Sequence, residues 1–169
     1  SIAMVQFSKI VNSENNEANQ TLTVKLFKLT FLISTLALFV LNGLPEKFYT
    51  FVFGADFMGI KSIIFWISPG ILAFNLFLIF GHYFSGIGQF KTLTIAALIG
   101  FIITIIGTLL LVKTWGAPGV ALATSLSLIV SMLVLLIEFI RTSKTKLHSF
   151  VIQKNDFLQF YELIKNSRK

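Results

Sequence analysis

The residues of this 169-residue chain that could do acid–base, nucleophilic or metal chemistry are few: two histidines (His82 and His148), seven acidic residues and no cysteine. Their spacing forms no reactive set. There is no pair of carboxylates within an apolar stretch, no Ser/His/Asp arrangement, and no Gly-rich loop with a lysine to cradle phosphate. Without thiolates, covalent cysteine catalysis and Cys-bound metals are excluded, and two distant histidines do not make a metal site. The expectation is a protein that is not an enzyme and carries no cofactor. The groups that remain suit binding and movement. His82, in GHYFSGIG, stands at the end of an apolar stretch before Gly86, Gly88 and Lys91. A histidine there can relay a proton or meet a polyanion; it can equally hydrogen-bond headgroups or backbone. Asn42 and Asn75 are amides in apolar surroundings and need partners on a neighbouring helix or in a wet cavity. Pro69, within Ser68-Pro69-Gly70, removes a backbone donor and crowds the preceding turn, so it predicts a kink, static or hinged. Glu138, three residues before Arg141, is expected to form a local pair.

The elements that position these groups follow from composition. The chain is 55% hydrophobic and 12% charged with a mean hydropathy of +0.84, against roughly 45–50% and 25% in soluble domains, so it needs lipid. Four runs lack formal charge: residues 29–45 (17 positions), 62–90 (29), 92–112 (21) and 114–137 (24). A bilayer crossing takes about 17–25 residues of helix. In hydrocarbon every backbone N–H and C=O must be satisfied within the segment, and the runs alternate too little for barrel strands. The expected fold is therefore all-α and integral to the membrane, with spans at about 27–44, 61–82, 92–112 and 117–140.

The basic residues set an orientation. If the first span enters from the cytoplasm, Lys9, Lys25, Lys28, Lys91, Arg141, Lys144, Lys146, Lys154, Lys165, Arg168 and Lys169 lie inside, and Lys47, Lys61 and Lys113 outside. This eleven-to-three excess places both ends in the cytoplasm. The net charge of +7 then reports topology and anionic lipid rather than nucleic acid, since no basic run is interleaved with stacking aromatics.

The outer loop, Glu46 to Ile60, carries Phe48, Tyr49, Phe51, Phe53 and Phe57 and is expected to form a short interfacial helix and turn anchored by its aromatics. Residues 1–26 are expected to hold the cytoplasmic end of a preceding helix and a linking segment. Ser1 to Lys9 has no signal-peptide pattern, so the chain is expected to be a fragment. Residues 147–169 should form an amphipathic tail, with Phe157, Leu158, Tyr161 and Ile164 on one side of a helix resting on the inner leaflet. Between them, residues 27–146 form the four-helix bundle. In its third span Ala96, Gly100, Thr104 and Thr108 recur every four residues, and in its fourth Gly119, Ala123, Ser127 and Ser131. Lipid tails are as apolar as leucine, so such small faces mark close helix packing.

Several stretches carry a resemblance: QFSKIVNSEN (Gln6 to Asn15), VFGADF (Val52 to Phe57), Ser68-Pro69-Gly70, HYFSGIGQFK (His82 to Lys91) and WGAPGVALATSLS (Trp115 to Ser127). In content and order they resemble the C-terminal lobe of Wzx-type polysaccharide flippases. These belong to the superfamily that also holds multidrug and toxic-compound extruders and peptidoglycan-precursor flippases. The resemblance implies the last four helices of a two-lobe, MATE-like transporter of the bacterial inner membrane, completed by an N-terminal lobe. It implies alternating-access movement of an undecaprenyl-diphosphate-linked oligosaccharide for O-antigen or capsule synthesis, with lipid-linked sugar, membrane lipid and the other lobe as partners. An extruder of the same superfamily and a non-transporting assembly subunit are the alternatives. No residue of settled role in the family maps onto this chain, so Pro69, Asn75, His82 and Lys91 stand as substrate or hinge candidates from their own chemistry.

Overall fold

The structure is a computed structural model that describes residues 16–54, 57, 59–143, 145 and 147–151. Among them every regular element is helical, as hydrocarbon demands of a backbone that cannot turn to water. Three helices are long and apolar enough to cross a membrane.

Helix α1, Asn16–Gly43, begins eleven residues before the expected start at 27. Residues 16–26, expected within a linking segment, are therefore helix. The helix runs on through Lys25 and Lys28, because a charge ends an apolar run without ending a helix. At 1.5 Å per residue α1 measures about 42 Å, longer than a hydrocarbon core of about 30 Å. Lys28 is folded into the bundle at 7% exposure, its aliphatic stem serving as packing surface. Residues 1–15, and with them the preceding helix end, lie outside the described residues.

The loop after α1 contains helix α2, Glu46–Phe53, opened by Pro45 in extended conformation. Phe48, Phe51, Phe53 and Phe57 are exposed, but Tyr49 is 2% exposed. Its hydroxyl donates to the Leu41 carbonyl at the end of α1, and the Glu46 carboxylate accepts from Gly59 N–H at 3.1 Å. The loop is thus tied at both ends.

Helix α3, Ile60–Gly86, runs as one helix with Pro69 inside it, four residues past the expected end at 82. A Schellman turn ends it: Gly88 N–H bonds the Ser85 carbonyl at 3.1 Å and Gln89 N–H the Phe84 carbonyl at 2.8 Å. Gly88 occupies the left-handed position this turn requires, at φ 76°.

Helix α4, Phe90–Ser143, is 54 residues long and covers the two spans expected at 92–112 and 117–140. A straight helix of that length would reach about 81 Å, far beyond any bilayer. Gly116, at φ 59° and ψ −137°, breaks it into two arms, 90–115 and 117–143. The arms fold back on each other: Gly107 faces Ala123, Gly100 faces Ser131, and Gly119 lies against the Leu111 backbone. Pro118 follows the break, in the first turn of the second arm, where its missing N–H costs nothing. A 3-10 turn, Leu147–Phe150, follows. The remainder of the expected tail, including Phe157, Leu158, Tyr161 and Ile164, lies outside the described residues.

Topologically α3 is the centre, with α4 on one side and α1 on the other. The near end, where α1 starts and α4 both starts and finishes, holds an aromatic core. Phe80 packs on Phe27 at 5.5 Å and on Phe139 at 5.3 Å between ring centroids; Tyr83 meets Phe139 edge-on at 4.8 Å; Phe150 from the 3-10 turn meets Phe27 at 5.0 Å. At the far end Trp66 and Trp115 pair at 5.7 Å. In lipid such contacts hold helices together by dispersion and shape rather than by hydrophobic transfer.

Candidate functional site

Between the aromatic near end and the tryptophan pair runs a seam of polar groups that crosses every helix of the bundle. Each member satisfies a neighbour that hydrocarbon would leave unpaired. On the α1 side of α3, Asn42 Nδ2 donates to Ser68 Oγ and to the Leu38 carbonyl, both at 2.8 Å. The Ser68 hydroxyl in turn donates to the Ile64 carbonyl at 2.6 Å. About two turns further along α3, Asn75 Nδ2 donates to Ser34 Oγ at 3.0 Å. On the α4 side, Gly70 N–H donates to Ser125 Oγ at 2.6 Å, and Ser125 lies 3.5 Å from the Ile67 carbonyl. Between the arms of α4, the Thr104 and Ser127 hydroxyls meet at 2.7 Å and Ser131 donates to the Ala96 carbonyl at 3.0 Å.

The residues singled out in the sequence fall into three places. Ala96, Gly100 and Thr104 on the first arm lie against Ser131 and Ser127, while Gly119 and Ala123 on the second lie against Leu111 and Gly107. Both asparagines use neighbouring helices as partners, and Asn42 Oδ1 alone is buried without a donor among the described residues. Pro69 presents its ring to the exterior while Ser68 and Gly70 beside it are buried. His82 is half-buried at the near end of α3 and Lys91 exposed just beyond the Schellman turn, so these two share one mouth of the bundle and stand apart from Asn75. Arg141 and Glu138 form the expected local pair at 3.3 Å, with the arginine three-quarters exposed. Exposed pairs of this kind contribute little.

Sequence spacing missed Ser125, which is only one serine in ALATSLS, and the polar cluster on the first turns of α1. There Asn19 and Thr23 are buried and Gln20 meets the Tyr83 hydroxyl. The signal for the cluster was the length of α1, hidden by treating lysines as boundaries. Among the described residues no three His, Asp or Glu side chains come close enough to hold a metal. What the arrangement can do is hold three helices in register through hydrogen bonds between them, with basic residues at one end.

Replacing Asn75 by leucine is expected to remove one interhelical hydrogen bond and to destabilise the bundle by about 0.6 kcal/mol, with about 1.7 kcal/mol as the upper bound for such bonds in lipid. Reversible unfolding in bicelles measures this, and a loss well above that bound would mean that Asn75 supports more than Ser34.

The model of one protein family, described as lipid II flippase MurJ, matches residues 1–159. The chain belongs to that family. It is also 30% identical over 122 residues to the lipid II flippase MurJ of Bacillus subtilis (strain 168), an alignment that takes in 70% of this chain and 22% of that protein. The chain thus spans about a fifth of the length of this curated relative. No solved structure matches it. The MurJ family is one of transporters, not enzymes, and it lies in the superfamily that the sequence motifs resemble, with a lipid-linked precursor as cargo. The match is to the peptidoglycan-precursor branch and not specifically to the Wzx branch. The motif stretches from Gln6 to Asn15 and from Trp115 to Ser127 all fall inside the matched MurJ region.

Proposed function

We propose that the protein to which this segment contributes is a lipid II flippase of the bacterial inner membrane, working by alternating access. The observation that carries this reading is the MurJ family match over residues 1–159, on a chain whose helices are long enough to span and are joined by a polar seam. A sugar headgroup cannot cross hydrocarbon unaided, so the carrier must offer polar surface between helices while the lipid tail stays outside. The eleven-to-three distribution of basic residues supports a cytoplasmic near end. His82 and Lys91 would then stand at the entry end, where the Lys91 ammonium favours a diphosphate and the His82 imidazole can offer it a hydrogen bond. The rest of the transporter, including an N-terminal lobe, would complete the cavity.

The second reading keeps the same machine and changes the cargo to an undecaprenyl-diphosphate-linked polysaccharide repeat unit; the Wzx-like order of HYFSGIGQFK and WGAPGVALATSLS favours it. Reconstituting the whole protein in vesicles with each lipid, and reading leaflet exposure with an impermeant reagent, separates the two. Lipid II is expected to move well above the rate in empty vesicles, and more slowly in the Lys91→Glu variant, which reverses the charge at the mouth. Movement of the repeat unit alone would favour the second reading. Movement of neither would return the chain to the extruder or assembly-subunit alternatives.

A further inference from the structure

The two sides of α3 are joined in physically different ways. Toward α4 the contact is backbone on backbone. A Cβ placed on Gly70 would stand 2.6 Å from Ser125 Cα, so no side chain intervenes. Ser125 also splints the helix where proline weakens it, because its hydroxyl accepts from Gly70 N–H and faces the Ile67 carbonyl, one on each side of Pro69. Toward α1 the hydrogen bonds at the middle of the bundle run from side chain to side chain. At the level of Pro69 it is the Asn42 amide on Ser68. That amide is held in one orientation, since the Leu38 carbonyl can only accept and therefore takes Nδ2. Its Oδ1 is left buried without a donor. A buried amide oxygen in an apolar environment is costly to leave unpaired, and a small shift of α1 would let Ser68 turn its hydroxyl from the Ile64 carbonyl to Oδ1. The Asn42 contact thus holds a spare acceptor, whereas Gly70 and Ser125 meet backbone on backbone.

We propose that α3 and both arms of α4 move as one rigid unit, pinned where Gly70 meets Ser125, and that α1 is the element that shifts against it, with Asn42 and Ser68 re-pairing as it does. Ser125 is then a positioning residue, and Pro69 is a splinted point of the helix and not the hinge. The purpose of the motion rests on the transport reading above; its existence does not.

The test uses the whole protein in nanodiscs on a cysteine-free background, with spin labels at exposed positions and pulsed dipolar distances. One pair, Ser62 and Thr114, reports α3 against α4 at the far end; the other, Thr21 and Thr142, reports α1 against α4 at the near end. The first pair is expected to give one narrow distance distribution with and without lipid II, and the second a broad or two-component one whose proportions lipid II changes. Ser125→Ala is expected to broaden the first pair, and Pro69→Ala to leave both unchanged. A split first pair, or a second pair as narrow as the first under both conditions, overturns the proposal. A protein that moves no lipid-linked precursor but shows these two distributions refutes the transport reading and leaves the division into rigid and shifting parts standing.

Discussion

Gly70→Ala is expected to destabilise the bundle by about 1–3 kcal/mol, the range for forcing an added methyl into a close-packed contact. The added carbon would lie 2.6 Å from Ser125 Cα and 2.7 Å from its hydroxyl oxygen. The nearest atom belongs to the backbone, so no rotamer change can make room, and two helices must part. Parting them lengthens the bond from Gly70 N–H to Ser125, and lipid supplies no replacement acceptor. The internal control has the opposite sign. Gly43, at the end of α1, has nothing within 4 Å of its added carbon, and alanine there should be neutral or stabilising by up to about 1 kcal/mol through helix propensity. Equilibrium unfolding of the whole protein in mixed micelles measures both. Equal and small effects at the two positions would mean that α3 and α4 do not touch through their backbones.

The second large effect is expected at Gly116. Its φ of 59° with ψ of −137° falls in territory open in practice to glycine alone, where another residue costs about 1–3 kcal/mol. Asparagine tolerates the left-handed helical well near ψ +47°, but this ψ is far from it, so Gly116→Asn should cost as much as Gly116→Ala. The strain has nowhere to spread. A carbon added at Gly119, three residues on, would lie 2.5 Å from the Leu111 carbonyl oxygen, and Ala123 packs against Gly107 one turn further on. Rescue by asparagine alone would show that the reversal uses an ordinary left-handed turn. Loss in both variants, read as unfolding free energy, supports the geometry seen here.

These two glycines also show what a linear reading can reach. The helices were legible because long uncharged runs between Lys28, Lys61, Lys91, Lys113 and Glu138 leave lipid as the only suitable solvent, and hydrocarbon permits such runs one backbone conformation. The close approach of the α4 arms was legible too, since Gly100, Thr104, Ala123 and Ser127 repeat at helical spacing and lipid gives no other reason for small faces. The start of α1 at Asn16 was not legible, because a lysine marks the edge of hydrocarbon and not the end of a helix.

What the sequence by itself determined is the solvent, the helical class and the charge asymmetry of the two ends, because each depends only on what a segment contains. Tertiary structure alone decided that Asn42 bonds Ser68, that Asn75 bonds Ser34 and that Gly70 bonds Ser125, pairs separated by 26, 41 and 55 residues. It also decided that Lys28 is buried and that the Asn42 carbonyl oxygen is left over. A polar group in lipid announces that it needs a partner, but its own spacing says nothing about which helix will bring one. That depends on how three packed surfaces share a single register.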